Sequence, residues 1–219
     1  MTENKLKTCT KFEDLGISAL ILDVLKELKL EIPTPIQKKS IPVAIAGQDL
    51  IGVAQTGTGK TFAFGIPMIQ RLAQIKGKAL ILLPTRELAL QVEENIRKLG
   101  GGLGLKTAAL IGGEAIGKQI FALRRNPHVY VATPGRLTDC MRRKLVKLEN
   151  VKILILDEAD LMFDMGFAPQ IEEIIKYIPK ERQTMLFSAT MPPAILKLVA
   201  AHMNLPVSIE VAPSGTTVE

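Results

Sequence analysis

The stretch that most narrows the folds open to this chain is Ala54-Gln55-Thr56-Gly57-Thr58-Gly59-Lys60-Thr61. It follows the apolar run Leu50-Ile51-Gly52-Val53 and precedes Phe62-Ala63-Phe64-Gly65-Ile66, so it reads as a loop between a strand and a helix. Gly57 and Gly59 let the backbone curl until successive N–H groups face one concave spot, and a helix opening at Lys60 adds the positive end of its dipole. An anion fits such a place. On the pattern G-x-x-x-x-G-K-[ST], with Ala54 at the first glycine, Lys60 would lie against the β- and γ-phosphates of a nucleotide. The Thr61 hydroxyl would ligate the Mg²⁺ that bridges them. Residues 54–61 are therefore nucleotide-binding candidates, although the stretch by itself also fits a Gly-rich turn with an incidental lysine.

The flanking pattern extends the argument. Short apolar runs predict strands over 49–53, 79–83, 106–111, 128–132, 152–156, 184–187 and 207–210. Amphipathic runs between them predict helices over 60–74, 86–99, 115–123, 135–143, 169–177 and 193–202. Two more helices precede the first strand: one over 19–29 capped by Ser18, and one opened by Thr34-Pro35 and closed by Gly47. Apolar strands alternating with helices predict an α/β fold, a doubly wound parallel sheet with helices on both faces. Residues 12–211 read as one domain, 1–11 as a flexible N-terminus and 212–219 as the start of a linker.

In such a sheet, ligands bind beyond the carboxyl ends of the strands. Six predicted strands run directly into residues suited to phosphate or metal: the loop 54–61, Pro84-Thr85-Arg86-Glu87, Gly112-Gly113, Thr133-Pro134-Gly135-Arg136, Asp157-Glu158-Ala159-Asp160 and Ser188-Ala189-Thr190. One edge of the sheet reads as the functional surface.

Composition sets the outer limits. A chain of 219 residues can bury about 70% of its unfolded surface without disulfides or metals. With 47% hydrophobic and 23% charged residues it is not of disordered type. Cys9 and Cys140 lack CxxC or histidine company and read as reduced thiols of an intracellular protein. The first eleven residues lack the apolar core of a signal peptide, and no run is long enough to cross a bilayer, so a soluble, cytoplasmic protein without membrane contact is expected. A net charge of +6 permits a phosphate-rich partner through counterion release.

With the phosphate loop, Asp157-Glu158-Ala159-Asp160 and Ser188-Ala189-Thr190 in that order, the chain from Phe12 to about Val211 resembles the N-terminal RecA-like domain of DEAD-box ATP-dependent RNA helicases. The resemblance implies ATP and Mg²⁺ as cofactors. Asp157 would hold the metal through a water, and Glu158 would orient or deprotonate the water attacking the γ-phosphate, so Lys60, Asp157 and Glu158 form the expected catalytic group. The segment 32–37 resembles the family's adenine-reading segment. The Gln37 amide offers one donor and one acceptor to adenine N6 and N7, and Phe12 can stack on the ring. Lys29 stands where this segment commonly begins with glycine.

Pro84, Thr85, Arg86, Gly112, Gly113, Thr133, Pro134, Gly135 and Arg136 resemble the segments that hold the RNA backbone without reading bases. Ser188 and Thr190 resemble the coupling motif, tied to Asp160; they could also simply cap the following helix. Met165-Gly166-Phe167 fits a packing role, and Arg142-Arg143-Lys144 with Lys147 reads as a solvated helix end more readily than as an RNA patch. The resemblance further implies a second RecA-like domain in a longer parent, whose arginines would complete the ATPase site. The piece alone is expected to bind Mg²⁺-nucleotide weakly, to hydrolyse ATP negligibly and not to unwind RNA. A sequence-tolerant RNA-binding or clamping module is the alternative.

Overall fold

The computed structural model describes residues 11–212. The loose tail and the linker expected at the two ends fall, but for Lys11 and Ala212, outside the described residues. After a 3₁₀ turn at Phe12–Leu15, helices α1 (Ala19–Glu27) and α2 (Pro35–Ile45) precede strand β1 (Leu50–Val53). The chain continues through α3 (Lys60–Leu72), β2 (Lys78–Leu82), α4 (Arg86–Gly100), β3 (Thr107–Leu110), α5 (Ile116–Arg124), β4 (Val129–Ala132) and α6 (Pro134–Arg142). It ends with β5 (Val151–Leu156), α7 (Ala159–Asp164), α8 (Ala168–Lys176), β6 (Gln183–Ser188), α9 (Pro193–His202) and β7 (Val207–Glu210). The seven strands form one sheet in the order β3-β4-β2-β5-β6-β1-β7, and every pairing is parallel.

Each strand's alternation divides the core into two layers, because successive side chains point to opposite faces. Ala79, Ile81, Ile153, Ile155, Met185 and Phe187 pack under α1 to α4 with Ile36, Phe64, Ile66 and Ile96. Leu80, Leu82, Leu154, Leu156 and Leu186 pack on the other side against Leu137, Met162, Ile171, Ile174 and Ile195 from α6 to α9. With both faces covered, β2 and β5 are apolar but for Lys78 and Lys152, and β6 keeps an apolar centre, Met185–Phe187, between Gln183, Thr184 and Ser188; these runs are what the sequence pattern shows. Gly52 is small for a packing reason: a Cβ there would stand 2.5 Å from the Phe187 ring.

Helix ends follow local chemistry. Gly47 takes φ 83 just past α2 and closes it. Two short elements stand outside the predicted ones: residues 159–164 form the helix α7, and Gly101–Leu103 make a 3₁₀ turn after α4. Neither is long enough to show a helical period in sequence.

Candidate active site and RNA groove

The order β5-β6-β1 explains how residues about a hundred positions apart come together. The loop after β1 and the acidic turn after β5 flank the end of β6, so Ser188 lies between them. The first residue of the loop is pinned to that strand, Ala54 N–H donating to the Ser188 carbonyl at 3.0 Å. Gly57 and Gly59 take φ 83 and φ 92, a region that disfavours side chains. A Cβ on Gly59 would also stand 2.5 Å from Gln37 Nε2.

Lys60 opens α3 with its side chain buried, 4% exposed. Its Nζ lies 2.8 Å from Glu158 Oε1 and donates to the Ala54 carbonyl at 3.2 Å. The Thr56 hydroxyl also donates to Glu158 Oε1, at 3.2 Å. Glu158 sits in the left-handed region at φ 53, costly for a non-glycine residue, and this turns its carboxylate back over the phosphate loop. Asp157, beside it, is 4% exposed. Burial pushes its carboxyl up to about 7, Lys60 opposes that rise and Glu158 adds to it. Lys60, Asp157 and Glu158 thus meet in one place. Thr61, half-buried in the first turn of α3, completes the loop.

Two expected adenine contacts are already engaged. Gln37 is 5% exposed; its Oε1 accepts from Thr34 N–H at 2.9 Å and its Nε2 donates to the Gly59 carbonyl at 3.1 Å. Phe12 is 3% exposed and belongs to the core. Its ring bounds a cavity of about 210 Å³ with Leu25 and Leu30 and offers little free face for stacking.

Asp160 is the link from this site to the rest of the edge. Its backbone N–H donates to Ser188 Oγ at 3.1 Å, and its Oδ2 accepts from both the N–H and the hydroxyl of Thr190 at 2.9 Å. Partial burial pushes the carboxyl up, but hydrogen bonding by Thr190 and Ser188 outweighs it and holds the group below the usual range. Ser188 and Thr190 are therefore bonded to Asp160 rather than used as caps, and α9 begins after Pro192 without a side-chain cap.

Beyond this lies an open groove of about 560 Å³ lined by Pro84, Thr85, Arg86, Gly112, Thr133, Gly135 and Arg136, with Asp139, Met165 and Phe167. Pro84 and Thr133 are buried and Arg86 and Gly135 exposed. Two helices point their N-termini into it: α4, where the Thr85 hydroxyl accepts from Leu88 N–H at 3.3 Å, and α6, opened by Thr133 and Pro134. Arg86 lies over Gly113, whose φ of 71 and lack of a Cβ leave room for the guanidinium. Arg136 donates to the Glu114 carbonyl at 3.3 Å and 3.4 Å. Met165 and Phe167, read from sequence as packing only, border this groove; the signal that could have placed them is their position directly after the acidic turn. Arg142 and Arg143 pair with Glu173 and Asp139 as a solvated helix end.

A parallel sheet with a phosphate loop after β1 and adjoining carboxylates after β5 defines a nucleotide-binding domain of RecA-like form. The chain belongs to the DEAD/DEAH box helicase family, whose model matches residues 34–198. It is 47% identical over 204 residues to an ATP-dependent RNA helicase CshA of Listeria monocytogenes, covering 92% of this chain and 39% of that one. It is 45% identical to an ATP-dependent rRNA helicase RRP3 of Yarrowia lipolytica, covering 100% of this chain and 45% of the relative. The crystal structure of a DEAD box protein from Methanococcus jannaschii superposes with a TM-score of 0.86 at 42% identity, covering 92% of this chain and 56% of that one. The chain thus spans less than half the length of these two curated relatives. No helix among the described residues is long and apolar enough to cross a membrane.

Proposed function

We propose that this chain is the nucleotide-binding domain of an ATP-dependent RNA helicase, whose parent couples ATP hydrolysis to RNA duplex separation or RNA–protein remodelling. The observation that carries this reading is the meeting of Lys60 and Glu158 at 2.8 Å at the phosphate loop, with Asp157 beside them. In the free protein the ammonium and the carboxylate neutralise one another. A triphosphate entering the loop takes over the Lys60 ammonium, and Glu158, released, becomes the base that orients the attacking water. The loop N–H groups and the α3 N-terminus hold the phosphates.

The residues present fit Mg²⁺. Asp157 is a buried carboxyl short of positive charge, and a hydroxyl with a carboxylate is a hard oxygen donor set. Thr61 and Asp157 would hold the ion; when bound, it neutralises charge on the phosphates. No cluster of three or more acidic, histidine or cysteine ligands occurs among the described residues.

Gln37 reads adenine only by exchanging its bonds to Thr34 and Gly59, so base recognition and loop shape are coupled. Phe12 reaches the adenine only by withdrawing from the core. The Asp160, Ser188 and Thr190 bonds relay nucleotide state to the groove, where Arg86, Arg136 and the two helix N-termini hold RNA phosphates without reading bases. A second RecA-like domain of the parent supplies the remaining half of both sites.

RNA-stimulated ATPase of this chain, with and without that second domain, tests the proposal. Alone it should turn over negligibly; completion should raise the rate by about 10³ to 10⁵, the worth of an added arginine finger. Robust turnover by the chain alone would contradict the division of labour. A duplex-release assay on the completed protein separates a helicase from an RNA clamp.

A further inference from the structure

Helix α5 is built with its polarity reversed at two positions. On the side facing the sheet, Gln119 is 3% exposed and its Nε2 donates to the Ile111 carbonyl at 2.8 Å. On the solvent side Phe121 stands 67% exposed. The Gln119 bond fixes the rotation of the helix and so holds the phenyl ring outward. Lys118, Phe121, Arg124 and Arg125 recur at three- and four-residue spacing, which puts them on one face, and all four are exposed. None of the three cations has a hydrogen-bonded or ionic side-chain partner among the described residues, unlike Arg142 and Arg143, which are paired. Over 114–125 the single carboxylate is Glu114, at the groove end.

The position of this face matters as much as its chemistry. Gly113, under Arg86, and Glu114, whose carbonyl accepts from Arg136, lead directly into α5. The helix then runs down the sheet edge made by β3, for about 14 Å at 1.5 Å per residue. Unpaired cations around an exposed aromatic ring suit a single strand, whose phosphates bind the charges and whose bases stack on the ring whatever their identity.

We propose that α5 is a second RNA-binding element: single-stranded RNA leaving the groove at Gly113 crosses the outer face of α5, with phosphates on Lys118, Arg124 and Arg125 and a base stacked on Phe121. This rests on the reading of the groove as an RNA track. The test is fluorescence anisotropy of this chain with oligouridylates of about 6 and about 14 nucleotides, near the two ends of the range of single-strand site sizes, the longer one having the length to run on along α5. Phe121→Ala, the triple change Lys118→Gln, Arg124→Gln, Arg125→Gln, and Arg86→Ala are compared with the unaltered chain, each checked by thermal melting.

Phe121→Ala should weaken the long RNA at least about fivefold, the lower bound for a base–aromatic stack, and leave the short one unchanged. The triple variant should lower the salt dependence for the long RNA only. Arg86→Ala should weaken both. Unchanged long-RNA affinity in Phe121→Ala, with Arg86→Ala still weakened, would overturn the role of α5 and leave the groove reading standing. Equal losses on both RNAs would overturn it too, as would a Phe121→Ala effect confined to self-association in sedimentation. Failure of the unaltered chain to bind either RNA would overturn both readings.

Discussion

The two halves of the functional edge are built on opposite plans. On the nucleotide side the key groups are already bonded to each other, Lys60 to Glu158 and Gln37 to Gly59 out of reach of water and Asp160 to Thr190 at the surface. On the RNA side Arg86 is exposed, Arg136 is bound only to a carbonyl at 3.3 Å or more, and the groove is open. On the function proposed above, the difference follows the task of each half. Hydrolysis needs charges held in a dry, fixed arrangement that changes partners when substrate enters. Holding an RNA backbone of any sequence needs accessible donors along a track. Changes on the first side should therefore disturb a network, and changes on the second should subtract single contacts.

The largest effect expected is from Lys60→Ala. It removes the cation meant for the phosphates and leaves Glu158 buried without its partner. Nucleotide turnover in the completed protein should fall by about 10² to 10³, the scale of losing one preorganised donor. RNA binding without nucleotide should be unaffected, and titration with a fluorescent nucleotide and with RNA separates the two. If RNA affinity collapses as well, the two halves are not independent and the contrast fails.

Next in size is a pH effect confined to the nucleotide side. The Asp157 carboxyl is raised from 3.8 to about 7 by burial. Between those values the folded protein binds more protons than the unfolded chain, so stability without ligand falls as pH rises from about 4 to about 7. At about 1.4 kcal/mol per unit the loss is at most about 4 kcal/mol. Urea unfolding across that range reads it, and Asp157→Asn should flatten the curve. An unchanged profile in that variant would mean the burial of Asp157 is compensated by groups other than Lys60.

The same contrast governs how much of the molecule was legible in the sequence. The sheet and its order of strand and helix could be read because buried parallel strands and amphipathic helices leave strong periodic signals. The phosphate loop, the acidic pair and the groove residues could be placed at one edge because each directly follows a strand. The grouping of Lys60 with Glu158 and the tie of Ser188 and Thr190 to Asp160 followed from the resemblance, but the partners of Gln37 and Phe12 could not be read. That Gln37 bonds to Gly59, and that Phe12 lies in the core, depend on how α2 and the N-terminal turn pack over the loop, and no local pattern encodes that. Helix α7 escaped because Ala159–Asp164 is under two turns long.

On the RNA side, Arg86→Ala and Arg136→Ala should each weaken RNA binding about tenfold, the low end for a hydrogen bond to a charged group. Each should lower the salt slope by about 1. Melting temperature should not move for Arg86→Ala, whose side chain is exposed. Anisotropy at several salt concentrations checks both. A loss without any change in slope would mean the arginine shapes the loop at Gly113 rather than touching phosphate.

The smallest effect tests whether the nucleotide side is fixed even in its backbone. Lys29 stands where this family commonly has glycine, and its φ is 56. The turn is closed by Leu30 N–H donating to the Leu25 carbonyl at 2.9 Å, so the left-handed conformation is imposed by the turn that leads from α1 to Gln37. A side chain there costs about 1 to 2 kcal/mol, while glycine would add about 0.4 to 1 kcal/mol of unfolded-state entropy. Relief should win narrowly. Lys29→Gly should raise the melting temperature by about 1 to 3 °C, since 1 kcal/mol is worth about 2 to 4 °C in a chain of this size. Nucleotide affinity should stay the same, because the turn keeps its shape and only loses its strain. If affinity fell while the melting temperature rose, the strain at Lys29 would be holding Gln37 in place. The fixed character of the nucleotide side would then reach back through α2 to the end of α1.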